Sequence, residues 1–367
     1  MPRMKPHPPG FWTELDEPAL LGNLATLRRA AGGRARIAPV VKGDAYGHGM
    51  LRVARALEGL PRVAMLVAGT ADAALSLRRH RVETPILLVG TWLPGELPGL
   101  LRHNITPSLF SADCARHVEA AARRLRRPAA CHLRVDACDC GAGITPSEAP
   151  GLVGRLRALP HVRVEAVYTH LFASYADPAA TEAALDVFDA LFDSLPAWFR
   201  RGVFRHAANS PALFNHPRSR YQMVRPGNAL YGLPLPPGAA HPGLRPCLSI
   251  KGRVTAVRGA ASPWRLGYHS RAHAASRLAV VPAGAAQAPW LFSHGGADAL
   301  VRGLRARILS TGMEYLYLDV SGIPAAQPGD EVVFLGRQGD DAITVAELMR
   351  KTNTDITLCE RLVMTRE

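Results

Sequence analysis

The stretch that decides the fold reads Ile-Ala-Pro-Val-Val-Lys-Gly-Asp-Ala-Tyr-Gly-His-Gly over residues 37–49. An apolar run ends at Lys42 and a glycine-rich turn follows, which predicts a buried strand with a lysine at its carboxyl end. Seven further β-rich runs alternate with helical patterns, so that the predicted strands span residues 37–42, 63–68, 85–90, 105–109, 131–136, 164–170, 204–208 and 223–227. Eight strand–helix units in series predict an α/β fold, an N-terminal (β/α)8 barrel of the TIM type.

The alternation of strand and helix patterns ends after residue 233. The segment Pro234-Leu235-Pro236-Pro237-Gly238 cannot continue a regular element, and short β-rich runs split by Gly and Pro turns follow it. We therefore predict a tail over residues 1–10, the barrel over residues 11–233, and a smaller, mostly β domain over residues 234–367.

Composition narrows the classes of partner. The formal charge of +14 would suit an anionic partner, but only four of the 44 basic residues are lysines, and the arginines are spread over the whole chain. A nucleic-acid-binding protein concentrates its charge on one element, so we expect no nucleic-acid partner. No apolar run approaches the roughly 18 residues of a membrane span, and no apolar core follows the basic start, so we expect a cytoplasmic protein. The six cysteines lack paired C-x-x-C spacing, and we expect free thiols and no metal.

Polar residues follow the predicted strands at their carboxyl ends, which form the active-site rim of such a barrel. Lys42 ends the first strand, where desolvation would make its amine a good nucleophile toward an aldehyde. The alternative is a lysine that simply extends into solvent. Arg225, His170 and His206 also have purely structural alternatives. Arg225 could pair with a carboxylate, and the two histidines could be hydrogen-bonded residues of the core. The rim residues are Lys42, Asp136, His170, Asn209, Ser210, Arg225 and Gly227.

Several blocks of the sequence, in order and with matching spacing, resemble the alanine racemase family of pyridoxal-phosphate (PLP) enzymes. The resemblance runs nearly end to end, and no single block would be specific alone. The blocks are residues 11–16, 41–49, 168–170, 206–210, 223–227 with 229–233, and 328–332.

The resemblance implies a role for each rim residue. Lys42 would carry the cofactor as a Schiff base and act as one catalytic base. Arg225 would face the pyridine nitrogen and keep it unprotonated, because a guanidinium does not give up its proton. The phosphate would be held by Tyr46, Ser210, Gly227 and Asn228, while His170, His206 and Asn209 would orient cofactor and base.

The resemblance also implies a small amino-acid substrate and a head-to-tail homodimer, in which Met313 and Glu314 of each β domain complete the site of the other subunit. The family's second base is a tyrosine, and Ala285 stands at its position. On the fifth strand the family carries a lysine, and also an arginine that approaches the cofactor phenolate and the substrate carboxylate. Arg134 and Gly141 stand there, and we expect Arg134 to contact the substrate.

These departures leave three functions open. The first is an amino-acid racemase or epimerase in which Tyr315, Tyr268 or His269 replaces the second base. The second is a PLP enzyme of a one-base reaction, such as decarboxylation or elimination. The third is a PLP-binding protein without turnover, because fold and cofactor do not fix the reaction.

Overall fold

The computed structural model describes residues 10–33, 35–138, 140–235, 243–259, 263–266, 271–287 and 297–352. These residues form two compact units. The larger unit comprises Glu17–Ala45 and Gly49–Arg245, and the smaller comprises residues 10–16, 46–48 and 246–352. Within the described ranges, no helix combines the length and the apolar character that crossing a membrane requires.

Strands are numbered along the chain. They are β1 (Phe11–Leu15), β2 (Arg36–Ile37), β3 (Leu66–Ala68), β4 (Ile86–Leu88), β5 (Ile105–Leu109), β6 (Ala129–Arg134), β7 (Val162–Tyr168), β8 (Phe204–His206), β9 (Met223–Val224), β10 (Leu248–Arg253), β11 (Ala256–Gly259), β12 (Trp264–Leu266), β13 (Arg271–His273), β14 (Arg277–Val281), β15 (Asp298–Val301), β16 (Leu304–Thr311), β17 (Leu316–Asp319), β18 (Glu331–Gln338) and β19 (Asp341–Ile343).

Helices are numbered in the same way. They are α1 (Glu17–Ala30), α2 (Lys42–Gly47), α3 (Met50–Leu57), α4 (Ala71–Arg79), α5 (Leu97–Arg102), α6 (Ala112–Arg124), α7 (Ala149–Leu156), α8 (Pro178–Ser194), α9 (Ala197–Arg200), α10 (Ser210–Asn215) and α11 (Val345–Thr352), with 3-10 turns at Phe172–Tyr175 and Pro217–Arg220.

The larger unit is built on a parallel sheet of eight strands in the order β2-β9-β8-β7-β6-β5-β4-β3. Parallel bridges from Ile37 to Val63 and from Val40 to Val67 join the two ends of this order. The sheet therefore closes on itself, and the predicted (β/α)8 barrel is confirmed.

The barrel helices follow from apolar spacing and from capping residues. Helix α1 buries Leu20, Leu24 and Leu27, which recur at the spacing that places side chains on one face. Thr70 and Ser111 each precede a helix and accept a hydrogen bond from the backbone N–H three residues later. These helices cover the outside of strands that are buried on both faces.

The smaller unit is an antiparallel sheet in the order β1-β10-β18-β15-β16-β17-β14-β11, with β19 beside β18, and a separate β12–β13 pair. The predicted mostly β C-terminal domain is therefore confirmed as a fold class. Strand β1 pairs with β10 from Phe11–Gly252 to Leu15–Leu248, so residues 11–15 belong to this sheet and not to the barrel.

Candidate active site

Lys42 directly follows the buried segment Val40-Val41 at the barrel rim. Lys42 is an exposed residue, so the expectation of a desolvated lysine is wrong for this structure. Two glycines make room beside it. A Cβ on Gly69 would lie 2.9 Å from the Lys42 Cβ, and one on Gly90 would overlap the Gly69 carbonyl oxygen at 1.9 Å.

The short helix α2, which begins at Lys42, is a left-handed turn. Five consecutive residues, from Gly43 to Gly47, have φ between 50° and 81°. Three of them, Asp44, Ala45 and Tyr46, carry a Cβ, for which this conformation costs roughly 1–2 kcal/mol per residue. The Asp44 Oδ1 accepts a hydrogen bond from the Met50 backbone N–H at 2.6 Å and helps to hold the turn. Backbone strain of this kind is concentrated at functional sites.

A buried hydrogen-bond chain runs from Arg225 through two histidines. The guanidinium donates to His206 Nδ1 at 2.6 Å and to the carbonyl oxygens of Thr169 and Ala207. Because a guanidinium can only donate, neutral His206 carries its proton on Nε2 and donates to His132 Nδ1 at 3.0 Å. The chain therefore fixes the tautomers of both histidines.

Tyr168 packs beside this chain. Its ring stacks on His206 with centroids 4.7 Å apart, and its hydroxyl is 2.8 Å from Ser108 Oγ. Arg225 lies over the same ring at 5.2 Å. The orientation of Arg225 is thus set from several sides.

The electrostatics of this region keep its histidines neutral. Burial, followed by the charges of Arg225 and Arg36, lowers the pKa of His132 to about 3. Burial also lowers the pKa of His170 to about 3, with contributions from Arg225, Lys42 and Arg134. The pKa of His206 is lowered well below its usual value by burial and by Arg225. Arg225, whose pKa burial lowers to about 10, remains a cation at neutral pH.

These histidines predict an acid-labile fold. Their folded-state pKa values lie below the unfolded value, so as the pH falls through about 6.5 the unfolded chain binds protons that the folded chain does not. Each fully buried histidine then lowers the free energy of unfolding by about 2 kcal/mol as the pH falls from 7.5 to 5. We expect His132→Asn to lower stability at pH 7.5 but to make its decline toward pH 5 shallower, as measured by urea titration. An unchanged slope in this variant would contradict the assignment.

The loops after β8 and β9 meet at Ser210. Its hydroxyl oxygen accepts hydrogen bonds from the backbone N–H groups of Gly227 at 3.0 Å and Ala229 at 3.1 Å, with Asn228 between them. Asn209 caps α10 through the Ala212 N–H, and Ser174 Oγ donates to its side-chain oxygen. The structure thus brings together Asn209, Ser210, Gly227 and Asn228, the residues that the sequence placed after these two strands.

The carboxylate of Asp136 organises the loop after β6. It accepts hydrogen bonds from the backbone N–H groups of Cys138, Cys140 and Gly141, at 3.4, 3.0 and 2.7 Å. Burial alone would raise the pKa of Asp136, but these donors lower it overall. The Cys140 thiol also donates to this carboxylate. No group of three metal-ligating side chains occurs among the residues that the structure describes.

In the smaller unit, Ala285 lies in a turn packed against the loop after β16. The backbone N–H groups of Ala285 and Ala286 donate to the carbonyl oxygens of Gly312 and Met313, at 2.9 and 3.1 Å. The side chains of Met313 and Glu314 are exposed. Tyr315, a candidate replacement base, is exposed as well, whereas the other two candidates, Tyr268 and His269, lie outside the described residues.

Sequence reasoning missed the partners of the site. His132, Tyr168 and Ser108 had no assigned role there, yet they support Arg225 and His206. One feature of the sequence could have indicated the role of His132. Side chains alternate between the two faces of a strand, so His132 lies on the same face of β6 as Arg134.

Comparison with known proteins agrees with this architecture. The family descriptions "Alanine racemase, N-terminal domain" and "Alanine racemase, C-terminal domain" match residues 15–234 and 247–359. An alanine racemase of Symbiobacterium thermophilum is 35% identical over 94% of this chain and 92% of its own. The crystal structure of alanine racemase from D-cycloserine-producing Streptomyces lavendulae has a TM-score of 0.86 at 28% identity, covering 98% of this chain and 95% of its own. An alanine racemase structure from Clostridium difficile, with a TM-score of 0.90 at 22% identity, covers 98% of this chain and 94% of its own and shares the fold. The chain belongs to the alanine racemase family.

Proposed function

We propose that this protein is a PLP-dependent amino-acid racemase or epimerase of the alanine racemase type, with Lys42 as the cofactor-binding lysine and catalytic base. One observation carries the proposal. Burial, and after it the charges of Arg225, Lys42 and Arg134, lower the pKa of His170, so the charges of three cationic side chains act on one histidine at the barrel rim. A group of cations that includes a primary amine suits an anionic aldehyde cofactor.

The side chains present also fit the separate parts of PLP. The primary amine of Lys42, an exposed residue, suits the aldehyde. The Ser210 hydroxyl and the backbone of Gly227 and Asn228 supply polar groups for the phosphate. Arg225 has five N–H donors, of which three make hydrogen bonds within the protein, so donors remain for the pyridine nitrogen.

PLP, when bound, supplies an electron sink that stabilises negative charge on the substrate α-carbon. The chain supplies the proton chemistry. Lys42 removes or returns the α-proton on its own side of the substrate. Arg225 stays protonated and keeps the ring nitrogen in its acceptor form, which favours proton transfer over competing reactions. Neutral His170 and His206 orient these groups without adding charge.

A second candidate, a one-base reaction such as decarboxylation or elimination, is favoured by Ala285. A methyl group cannot hold a proton, and the Ala285 turn is tied by its backbone to the Gly312–Met313 carbonyls. A PLP-binding protein without turnover is the remaining alternative. NMR in D2O with each alanine enantiomer supplied separately tests the proposal, because enzyme-dependent loss of the α-proton signal requires a working base. No exchange with either enantiomer would favour the non-catalytic alternative.

We also propose that the active unit is a homodimer, in which Met313 and Glu314 of one subunit complete the site of the other. The exposure of Met313 and Tyr315, at 52% and 51%, supports this, because large apolar side chains clustered on a surface mark interaction sites. We expect light scattering at assay concentration to give twice the chain mass. A fully active monomer would contradict the proposal.

A further inference from the structure

The arginines of the larger unit follow the repeat of the barrel. Basic residues occupy the last turn of most barrel helices, and further arginines stand between those helices and the next strands. In a (β/α)8 barrel the carboxyl ends of the helices and the amino ends of the strands lie at one end, opposite the active-site rim. We call this end the amino-terminal face and define it by the helix-to-strand connections, which are residues 28–33, 55–65, 78–85, 102–104, 123–128, 155–161, 200–203 and 217–222.

The connections at the two ends of the barrel differ in charge. Those of the amino-terminal face contain 18 arginines, no lysine and two carboxylates, Glu58 and Glu83. The strand-to-helix connections at the rim contain one lysine, no arginine and eight carboxylates, counted over residues 38–49, 69–72, 89–96, 110–113, 135–148, 169–177 and 207–209. A composition rich in arginine would load both ends alike. The asymmetry is therefore set by position in the fold.

Two of these arginines stand where the backbone favours glycine. Arg81 and Arg126 follow the ends of α4 and α6 with φ of 60° and 54°, the left-handed conformation in which many helices end. Glycine adopts this conformation freely, whereas a residue with a Cβ loses roughly 1–2 kcal/mol there. The helix dipole attracts cations by about 0.3–1 kcal/mol, but only within the last turn. The dipole therefore does not explain an arginine at either position.

Several guanidinium groups of this face are available to a ligand. Arg123, Arg124 and Arg126 are exposed, and their side chains make no ion pair or hydrogen bond with the described part of the chain. Other arginines are engaged within the protein, since Arg78 donates to four backbone carbonyl oxygens and Arg218 is paired with three carboxylates of α8. An exposed guanidinium without a partner keeps its five N–H donors for an anion.

The chemistry and the extent of the face fit a chain of phosphates. A planar guanidinium binds phosphate through two parallel hydrogen bonds. Arginines occur in every helix-to-strand connection, so only an extended ligand contacts several of them. A membrane surface fits less well, because membrane binding adds buried apolar side chains to basic charge. Within the connections that the structure describes, no large apolar side chain is exposed.

We propose that the amino-terminal face binds the phosphate backbone of a nucleic acid without reading its base sequence. Contacts to phosphate carry the affinity of such binding and make it depend strongly on salt. The inference is independent of the proposed function, because the face lies at the end of the barrel opposite Lys42. It replaces the expectation drawn from the sequence, because the barrel gathers at one end arginines that are spread along the chain.

The proposal is tested with a fluorescently labelled DNA duplex of about 20 base pairs, whose binding is measured by anisotropy between about 50 and 200 mM salt. We expect the triple variant Arg123→Gln/Arg124→Gln/Arg126→Gln to bind about 10- to 100-fold more weakly than the wild type. The slope of log K against log salt should become shallower by up to about 3, since each phosphate contact contributes about 0.9. Lysine at the same three positions keeps the charge and should retain most of the affinity.

A matched control removes the same charge from the smaller unit, where Arg258, Arg307 and Arg337 are exposed. The triple variant with glutamine at these positions should bind the duplex as the wild type does, with an unchanged slope. Urea titration checks that every variant is folded. Equal weakening by the two glutamine variants would show attraction to net charge only and would overturn the assignment to this face.

Three further results would also overturn the proposal. Wild-type protein that does not bind the duplex at the lowest salt would remove nucleic acid as a partner. Polyglutamate bound as tightly as the duplex would show that phosphate is not recognised. Vesicles of anionic phospholipid bound more tightly than the duplex would make a membrane the partner of this face.

Discussion

D-Alanine should exchange its α-hydrogen for solvent deuterium on this enzyme much faster than it is converted to L-alanine. By the family resemblance, Lys42 acts on the face that D-amino acids present, and the position of the second base is Ala285. Losing a positioned general base costs about 10²- to 10⁴-fold in the step that it serves. Exchange needs only Lys42, whereas inversion needs a proton on the opposite face. We therefore expect α-hydrogen exchange to be about 10²- to 10⁴-fold faster than inversion, with both rates measured by NMR in D2O.

A matched pair of variants sharpens this expectation. Ala285→Tyr restores a phenol at the second-base position and should raise inversion from D-alanine relative to exchange. Ala286→Tyr places the same side chain at the next, exposed position of the same turn and should leave the ratio unchanged. Rapid racemisation of both enantiomers by the unmodified protein, with equal rates of exchange and inversion, would show that another residue supplies the second proton.

Local pattern was enough to predict the barrel, because each strand–helix unit is specified by residues close in sequence. Strand β5 was predicted at residues 105–109 and lies at Ile105–Leu109. Residues 11–15 were assigned to the barrel, whereas they form β1 and pair with β10 (Leu248–Arg253), which is more than 200 residues away in the sequence. A sequence pattern does not identify so distant a partner.

The site was predicted in part. Positions at strand ends placed Lys42, Ser210 and Arg225 on one rim, since the carboxyl ends of parallel strands meet at one end of a barrel. The left-handed turn after Lys42 was not predicted, because Ala45 and Tyr46 are not residues that favour positive φ. The exposure of Lys42 was also missed, because an apolar run before a residue does not show how its side chain is directed.

Replacing Lys42 should have the most complete effect of any substitution, because one amine both attaches the cofactor and moves the proton. Lys42→Ala is expected to lose covalent attachment altogether and to abolish α-hydrogen exchange. The other lysines of the described chain are engaged elsewhere, since Lys251 is paired with Glu14 and Glu331, and Lys351 with Asp298 and Glu347. Lys351→Ala is therefore the control and should keep both properties.

Borohydride reduction of the purified, cofactor-loaded protein, followed by mass mapping of its peptides, tests the central claim most directly. The account predicts a yellow protein whose reduced cofactor is found on the peptide that contains Lys42. Cofactor mass on the peptide of Lys251 or Lys351, or on no peptide, would contradict it.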